Sequence, residues 1–266
     1  MGGYAIRGGE AGKRRLDLLA QVMAPSTEAL LQRVGLRRGM NCLDLGCGGG
    51  HVTRLLAQRV ASEGGVVGID MDAVKVAAAE QECRSAGLLN VDFRVANVIG
   101  WAEPETYDLV FGRFILSHLP TRIEVLAEMR RALRPGGVVV LEDIDFSGAF
   151  CYPPNAAYER YCELYRAVIQ RRGGDADLGA KLYGMCLDVG LRDIEVSVVH
   201  PVHRGQDPGK QLSVSTLLNI GDAAIAEGLI AEAELQSTVG ALTAFTDDPF
   251  TIIGVPRIFQ VCGRRA

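Results

Sequence analysis

Five carboxylates, one histidine and a run of glycines carry the chemistry available to this sequence. Asp44, Gly46, Gly48 and Gly50 stand in a D-x-G-x-G-x-G spacing. Leu43 and Leu45 flank Asp44 in a short apolar strand, and Val52, Leu55, Leu56 and Val60 then recur on one face of a helix. A strand that breaks through glycines into a helix is a ligand-binding device. Glycine admits positive φ and lets a ligand come close to the backbone. The helix N-terminus adds unpaired N–H groups and positive potential. The dinucleotide fingerprint G-x-G-x-x-G/A fits poorly, because counting from Gly46 puts His51 in the third place.

Asp70 closes the apolar run Val66-Val-Gly-Ile, 20 residues beyond Gly50. Ligands of open α/β sheets bind at the carboxyl ends of strands, and a carboxylate there can accept both hydroxyls of a ribose. Asp72 is the better cap for the helix expected over 73–86, which leaves Asp70 for a ligand. His118 follows a fourth strand. With an ordinary pKa near ~6.5 it could accept a proton at neutral pH, or it could pin its loop by bonding backbone. Glu142, Asp143 and Asp145 end a fifth strand. Burial would raise a carboxylate pKa and make it a better base, so Asp145 is the second catalytic candidate beside His118.

The elements that must position these groups follow a strand–helix alternation. Residues 1–11 are Gly-rich around Tyr4 and Arg7, 12–23 look helical, and Pro25-Ser-Thr-Glu28 reads as a break and a second helix start that ends near Gly35. Strands are expected at 66–70, 90–97, 107–113 and 138–141, with a helix over 119–134 whose first turn suits Pro120. Five strands with crossover helices give the parallel half of a doubly wound sheet. Residues 147–187 then hold five of the seven tyrosines. Helices over 155–171 and 178–189 would place Tyr158, Tyr161 and Tyr165 on one face, which together with Phe146, Phe150 and Tyr152 reads either as ordinary packing or as an aromatic lid over a flat or apolar substrate. A sixth strand over 194–201, helical pieces over 209–245 broken near Gly228, and a last strand over 255–263 complete the chain. The expected divisions are an N-terminal flap and helices (1–37), a core (38–146), a helical lid insertion (147–190), and the rest of the core (191–266) with a helical insertion at 207–250.

Composition bounds the function class. A net charge of −4 without a long basic run argues against a nucleic-acid partner. The apolar run 16–24 contains Asp17 and Gln21, which does not suit an export signal. No stretch approaches the ~18 apolar residues of a membrane span. Seven scattered cysteines without a C-x-x-C suggest reduced thiols in a cytoplasm and no metal site. A homo-oligomer is left open.

The spacing Asp44-x-Gly46-x-Gly48-x-Gly50 resembles motif I of the class I S-adenosylmethionine-dependent methyltransferases. The strand Tyr107-Asp-Leu-Val-Phe-Gly-Arg113 running into Phe114-Ile-Leu-Ser-His-Leu119 resembles the R-x-x-L-x-H-L pattern of the small-molecule, ubiquinone-biosynthesis-like "type 11" group. The Asn/Asp-Pro-Pro-Tyr/Phe motif of enzymes that methylate nucleobase amines is absent. The resemblance implies a Rossmann-like α/β fold, a seven-stranded sheet of order 3-2-1-4-5-7-6 with strand seven antiparallel. It implies S-adenosylmethionine as cofactor, whose ammonium and sulfonium suit a negative strand-end residue, and a small-molecule acceptor. Asp44, Gly46, Cys47 and Gly48 would form the strand-end site, with the Gly46 and Arg113 carbonyls on the ammonium. Asp70 would take the ribose, Met71 would pack on adenine, and Asn97 with Val98 would meet the adenine edge; Asn97 stands where the family usually has an acid. Tyr4 and His118 would lie near the transferring methyl. Trp101 could stack near adenine or sit in the core. Two other readings stay open: a cyclase or isomerase that recruited the fold, and an arsenite methyltransferase using Cys151, Cys162 and Cys186.

Overall fold

The computed structural model describes residues 9–101 and 103–266. The chain opens with α1 (Gly9–Arg33) and enters the sheet at β1 (Asn41–Leu45), followed by α2 (His51–Val60), β2 (Gly65–Asp70), α3 (Ala73–Ser85), β3 (Val91–Val95) and β4 (Tyr107–Arg113). After a 3-10 turn at Leu116–His118 come α4 (Arg122–Ala132) and the long β5 (Leu133–Asp145). The second half contains β6 (Phe150–Tyr152), α5 (Ala156–Arg171), α6 (Leu182–Asp188), β7 (Arg192–Val199) and β8 (Val202–Arg204). It ends with α7 (Gln211–Ala226), α8 (Glu232–Asp247), β9 (Ile252–Gly254) and β10 (Arg257–Arg264).

Seven strands form one sheet in the order β3-β2-β1-β4-β5-β10-β7, with β10 antiparallel to both neighbours. This is the expected 3-2-1-4-5-7-6 arrangement. The central strands are buried on both faces, as continuous apolar runs require. On one face Cys42, Leu109, Phe111, Val138 and Val140 meet Leu56 and Val60 of α2 and Leu30 and Leu31 of α1. On the other face Leu43, Val110, Val139 and Leu141 meet Val125, Leu126 and Met129 of α4. Leu182, Met185 and Cys186 of α6 belong to this second layer, so α6 covers the sheet rather than the ligand.

A third core lies beyond the carboxyl edge, where α5, α7 and α8 pack on one another around Tyr161, Leu217, Ile220 and Leu242. A three-stranded antiparallel sheet, β6-β9-β8, joins the two insertions that supply these helices. The periodicity gave no sign of this small sheet, because its strands are three residues long.

The N-terminal helices need correction. A single helix of 25 residues runs through Pro25 instead of breaking there. Proline withholds one intrahelical donor and crowds the preceding turn. The helix continues because Ala20 and Met23 before it, and Thr27, Leu30 and Leu31 after it, are all buried. Packing on both sides outweighs the local break. The helix ends where expected: Leu36 N–H donates to the Leu31 carbonyl, with Gly35 at φ 84°. Pro120 lies two residues before α4 instead of within its first turn.

Candidate active site

A cavity of about 680 Å³ opens at the carboxyl ends of β1, β2 and β4 and extends under α1, α5 and α7. Its two halves differ in chemistry. One is glycine and carboxylate; the other is aromatic and apolar.

At the first half, Gly46, Gly48 and Gly50 all have positive φ (75°, 52° and 72°). A Cβ on Gly46 would stand 2.8 Å from Ile115 Cδ1, and one on Gly50 would stand 2.7 Å from Ala79 Cβ of α3. Gly50 thus makes the close helix approach that the dinucleotide pattern would assign to the position after it. His51 begins α2, and its Nε2 lies 2.9 Å from Asp17 Oδ1 of α1. The Gly46 and Cys47 N–H groups both donate to the Ile69 carbonyl, at 2.8 and 2.9 Å, which ties the loop to β2.

Asp70 is held by both oxygens. Oδ2 accepts the Gly48 N–H and Oδ1 the Asp72 N–H, each at 2.9 Å. Asp72 caps α3 by accepting from the Val74 and Lys75 N–H groups, which leaves Asp70 at the cavity. Asp44 is 2% exposed and accepts Thr53 Oγ1–H at 2.6 Å. Burial pushes its carboxyl up to about 6. Cys47 is buried beside it, and Met71 is largely exposed at the cavity wall. Asn97 and the buried Val98 also line the wall. The Asn97 side-chain oxygen accepts the Ile99 N–H at 3.0 Å.

Arg113 ends β4 with its side chain turned inward. Its guanidinium lies 3.4 Å from Thr27 Oγ1 and 3.8 Å from Glu142 Oε2. Phe114 follows at φ 53°, a conformation that a bulky residue adopts only when its surroundings enforce it. Its N–H donates to the Glu142 carbonyl at 2.8 Å. This turn carries the chain from β4 to His118, which lines the cavity. Burial, with a smaller push from the Arg15 guanidinium, lowers the His118 imidazole to about 4. At neutral pH it is uncharged, and it is a weak base.

In the second half, Phe146, Tyr158, Tyr161 and Tyr165 line the cavity and are buried. Phe146 stacks on Tyr165 with ring centres 4.2 Å apart and meets Tyr161 edge-on at 6.0 Å. The Tyr158 hydroxyl donates to the Gly254 carbonyl at 2.9 Å, which fixes α5 on β9.

Several expected site residues lie elsewhere. Asp145 does not line the cavity: it caps the 3-10 turn after β5 through the Ser147 N–H and pairs with Arg257 at 2.7 Å. Its carboxylate is committed to structure, so the assignment of Asp145 as a base is withdrawn. Glu142 is fully buried against Thr27 and Gln260, and Asp143 accepts the Ser117 and Ile144 N–H groups; neither reaches the cavity. Phe150 and Tyr152 sit on the outer β6 strand, 42% and 64% exposed, and do not line the cavity. Side chains alternate along that short strand, and its first and third residues point away from the cavity. Trp101 is partly buried against the core and packs on Tyr107 with ring centres 6.1 Å apart. Cys186 belongs to the sheet layer while Cys162 belongs to the cap, so the three cysteines do not converge, and no metal-ligating cluster exists among the described residues. The arsenite reading falls with them. Tyr4 lies outside the described residues. The sequence reading missed Arg15, Leu16 and Leu19 of α1 and Thr216 of α7 as lining residues. The i, i+3 apolar spacing of Leu16 and Leu19 is a local signal for those two; Arg15 and Thr216 have none.

The residues present fit S-adenosylmethionine. Gly46 leaves a cradle that a Cβ would fill, and Asp44 and Asp70 set negative charge at one end of the cavity. No phosphate-binding cation stands in the glycine loop.

The methyltransferase-domain family matches residues 36–184. The ubiquinone biosynthesis O-methyltransferase of Pseudomonas fluorescens is 37% identical over 116 residues, covering 43% of this chain and 48% of that protein. The chain spans about half the length of the curated relatives it matches. The YcgJ protein of Bacillus subtilis has a similar fold, with TM-score 0.61 and 17% identity over 91% of this chain and 99% of that one. So does the 4+2 cyclase SpnF, with TM-score 0.56 and 18% identity over 91% and 80%. With more than half of its length in the family match, and with this sheet order around this glycine loop, the chain belongs to the class I S-adenosylmethionine-dependent methyltransferases.

Proposed function

We propose that this chain transfers a methyl group from S-adenosylmethionine to a small apolar or aromatic metabolite. The observation that carries this reading is the single cavity joining a carboxylate-lined glycine loop to an aromatic chamber. Asp70 would accept ribose hydroxyls, because two backbone donors already fix both of its oxygens. Met71 would cover one adenine face, with Asn97 and Val98 at the adenine edge. Asp44 and the Gly46 and Arg113 carbonyls would surround the ammonium, and Cys47 and Gly48 would complete the loop. The bound cofactor supplies an electrophilic methyl on a sulfonium. The protein's part is to position the acceptor and exclude water, and Phe146, Tyr158, Tyr161 and Tyr165 close that chamber. His118 can accept a hydrogen bond there at neutral pH but gives little general-base assistance with a pKa of about 4.

No helix among the described residues is long and apolar enough to cross a membrane. The acidic net charge and the seven free cysteines support a cytoplasmic enzyme with a small-molecule substrate and no nucleic-acid or membrane partner.

The weak base favours one competing reading, a cyclase or isomerase on the same fold, in which the cavity shapes a substrate without methyl transfer. Incubation with methyl-labelled cofactor and a metabolite extract separates the two. Label in a product, with one S-adenosylhomocysteine formed per product, supports transfer. Substrate conversion without S-adenosylhomocysteine identifies the cyclase.

A further inference from the structure

The charges that line the cavity are sorted by position. Its only acidic lining residues among those described are Asp44, Asp70 and Asp72, all at the β1 and β2 ends. Among the described residues the aromatic chamber has no carboxylate. Most cations on the cavity wall already have an acidic partner. Lys75 pairs with Asp72 at 3.4 Å, Arg113 with Glu142 at 3.8 Å and Arg172 with Glu227 at 3.1 Å. Arg15 differs. It is half-buried, lines the cavity, and bonds through Nε to the neutral Thr216 Oγ1 at 2.9 Å. A guanidinium carries five N–H donors in a fork that matches a carboxylate, and this contact uses one of them.

We propose that the acceptor is an apolar or aromatic carboxylic acid whose carboxylate pairs with Arg15, making Arg15 the residue that sets substrate class. The inference rests on the methyltransferase reading and adds the chemistry of its substrate. Thr216 anchors the guanidinium on α7, so the fork is held rather than free to swing into solvent. Its partner Thr216 lies on α7, which packs against the α5 helix that carries Tyr161 and Tyr165, so Arg15 stands at the aromatic chamber, not at the glycine loop. The apolar body of the acid would lie against Tyr161, Tyr165 and Phe146. A cationic amine is the rival occupant, since aromatic rings also attract cations. Arg15 would repel it, and no carboxylate among the described lining residues of the chamber would offset that repulsion.

The test is calorimetric titration of the full chain with 2-naphthoate, 2-naphthamide and naphthyltrimethylammonium, each with and without saturating S-adenosylhomocysteine. Naphthoate should bind at least about tenfold tighter than naphthamide, as expected for a charge-assisted pair. R15Q should erase that preference, and R15K, which keeps the charge but not the fork, should retain part of it. Affinity for S-adenosylhomocysteine should stay within about twofold in both variants, which also shows that they fold. Three results overturn the proposal: an amide or ammonium that binds as tightly as the acid, a preference that survives R15Q, or no naphthoate binding at millimolar concentration. Failure of the wild type to bind S-adenosylhomocysteine contradicts the methyltransferase reading instead, and the titrations without it still decide the role of Arg15.

Discussion

The Asp70 carboxylate accepts the backbone N–H of Gly48 at 2.9 Å, across 22 residues of sequence. One end of β2 is thereby locked to the turn that follows β1. Neither group can move without the other, so the shape of the glycine loop and the placement of the acid form one unit. A ligand that meets this surface finds it already ordered, which lowers the entropic cost of binding.

Two of the four glycines before α2, Gly46 and Gly48, should respond differently to alanine. Both have positive φ, but a Cβ on Gly46 meets Ile115 Cδ1 at 2.8 Å while one on Gly48 meets nothing within 4 Å. Gly48→Ala should cost about 1 kcal/mol from the left-handed backbone alone. Gly46→Ala adds overpacking and should cost about 2–4 kcal/mol. Denaturant titration measures both. Adding Ile115→Val to Gly46→Ala should recover part of the loss; no recovery would show that the clash is not the cause.

Asp44 predicts a pH dependence with opposite signs for folding and binding. Its folded pKa of about 6 lies above that of an exposed aspartate, so the native state holds the proton more tightly than the unfolded chain. Stability from this group is therefore lost as pH rises from about 4 through 6, and the cost is complete above 6. Asp44→Asn removes the cost, so its stability relative to wild type should rise by roughly 1–3 kcal/mol between pH 4.5 and 7.5. The cofactor's ammonium, which S-adenosylhomocysteine keeps, favours the ionised form, so S-adenosylhomocysteine affinity of the wild type should fall below pH 6. A relative stability that is flat with pH would mean that Asp44 is already ionised in the folded chain.

His118 should matter less to the chemical step than its position suggests. With a pKa of about 4 it stays neutral across the working range, and its single-turnover profile should show no limb near the ordinary histidine value. We expect His118→Asn to slow transfer by no more than about tenfold. A loss of a hundredfold together with a vanished limb between pH 6 and 7 would restore histidine as the base.

The sequence discloses what is local. The Asp44–Gly50 spacing, the assignment of Asp72 rather than Asp70 to the helix cap, and the positions of the first five strands depend on neighbours within a few residues or on repeating apolar periods, whereas the order of the seven strands comes from the family resemblance. It misleads where packing outweighs a local rule, as at Pro25, which stays helical between buried turns of α1. It also misleads where direction decides: Tyr158, Tyr161 and Tyr165 face the cavity, while Phe150 and Tyr152, a few residues earlier, face out. Asp145 looked like a base until Arg257, 112 residues on, claimed its carboxylate. Arg15 could not be found at all from the sequence, because its partner Thr216 is 201 residues away.

The most direct test of the account is calorimetric titration of S-adenosylhomocysteine into wild type and Asp70→Ala at pH 7.5. The wild type should bind one equivalent. The variant should keep its fold and lose roughly 1.5–3 kcal/mol of affinity, about tenfold to a hundredfold, because charge-assisted hydrogen bonds to the ribose are gone. A folded Asp70→Ala that binds as tightly as wild type, or a wild type that does not bind, would contradict the assignment of this cavity to S-adenosylmethionine.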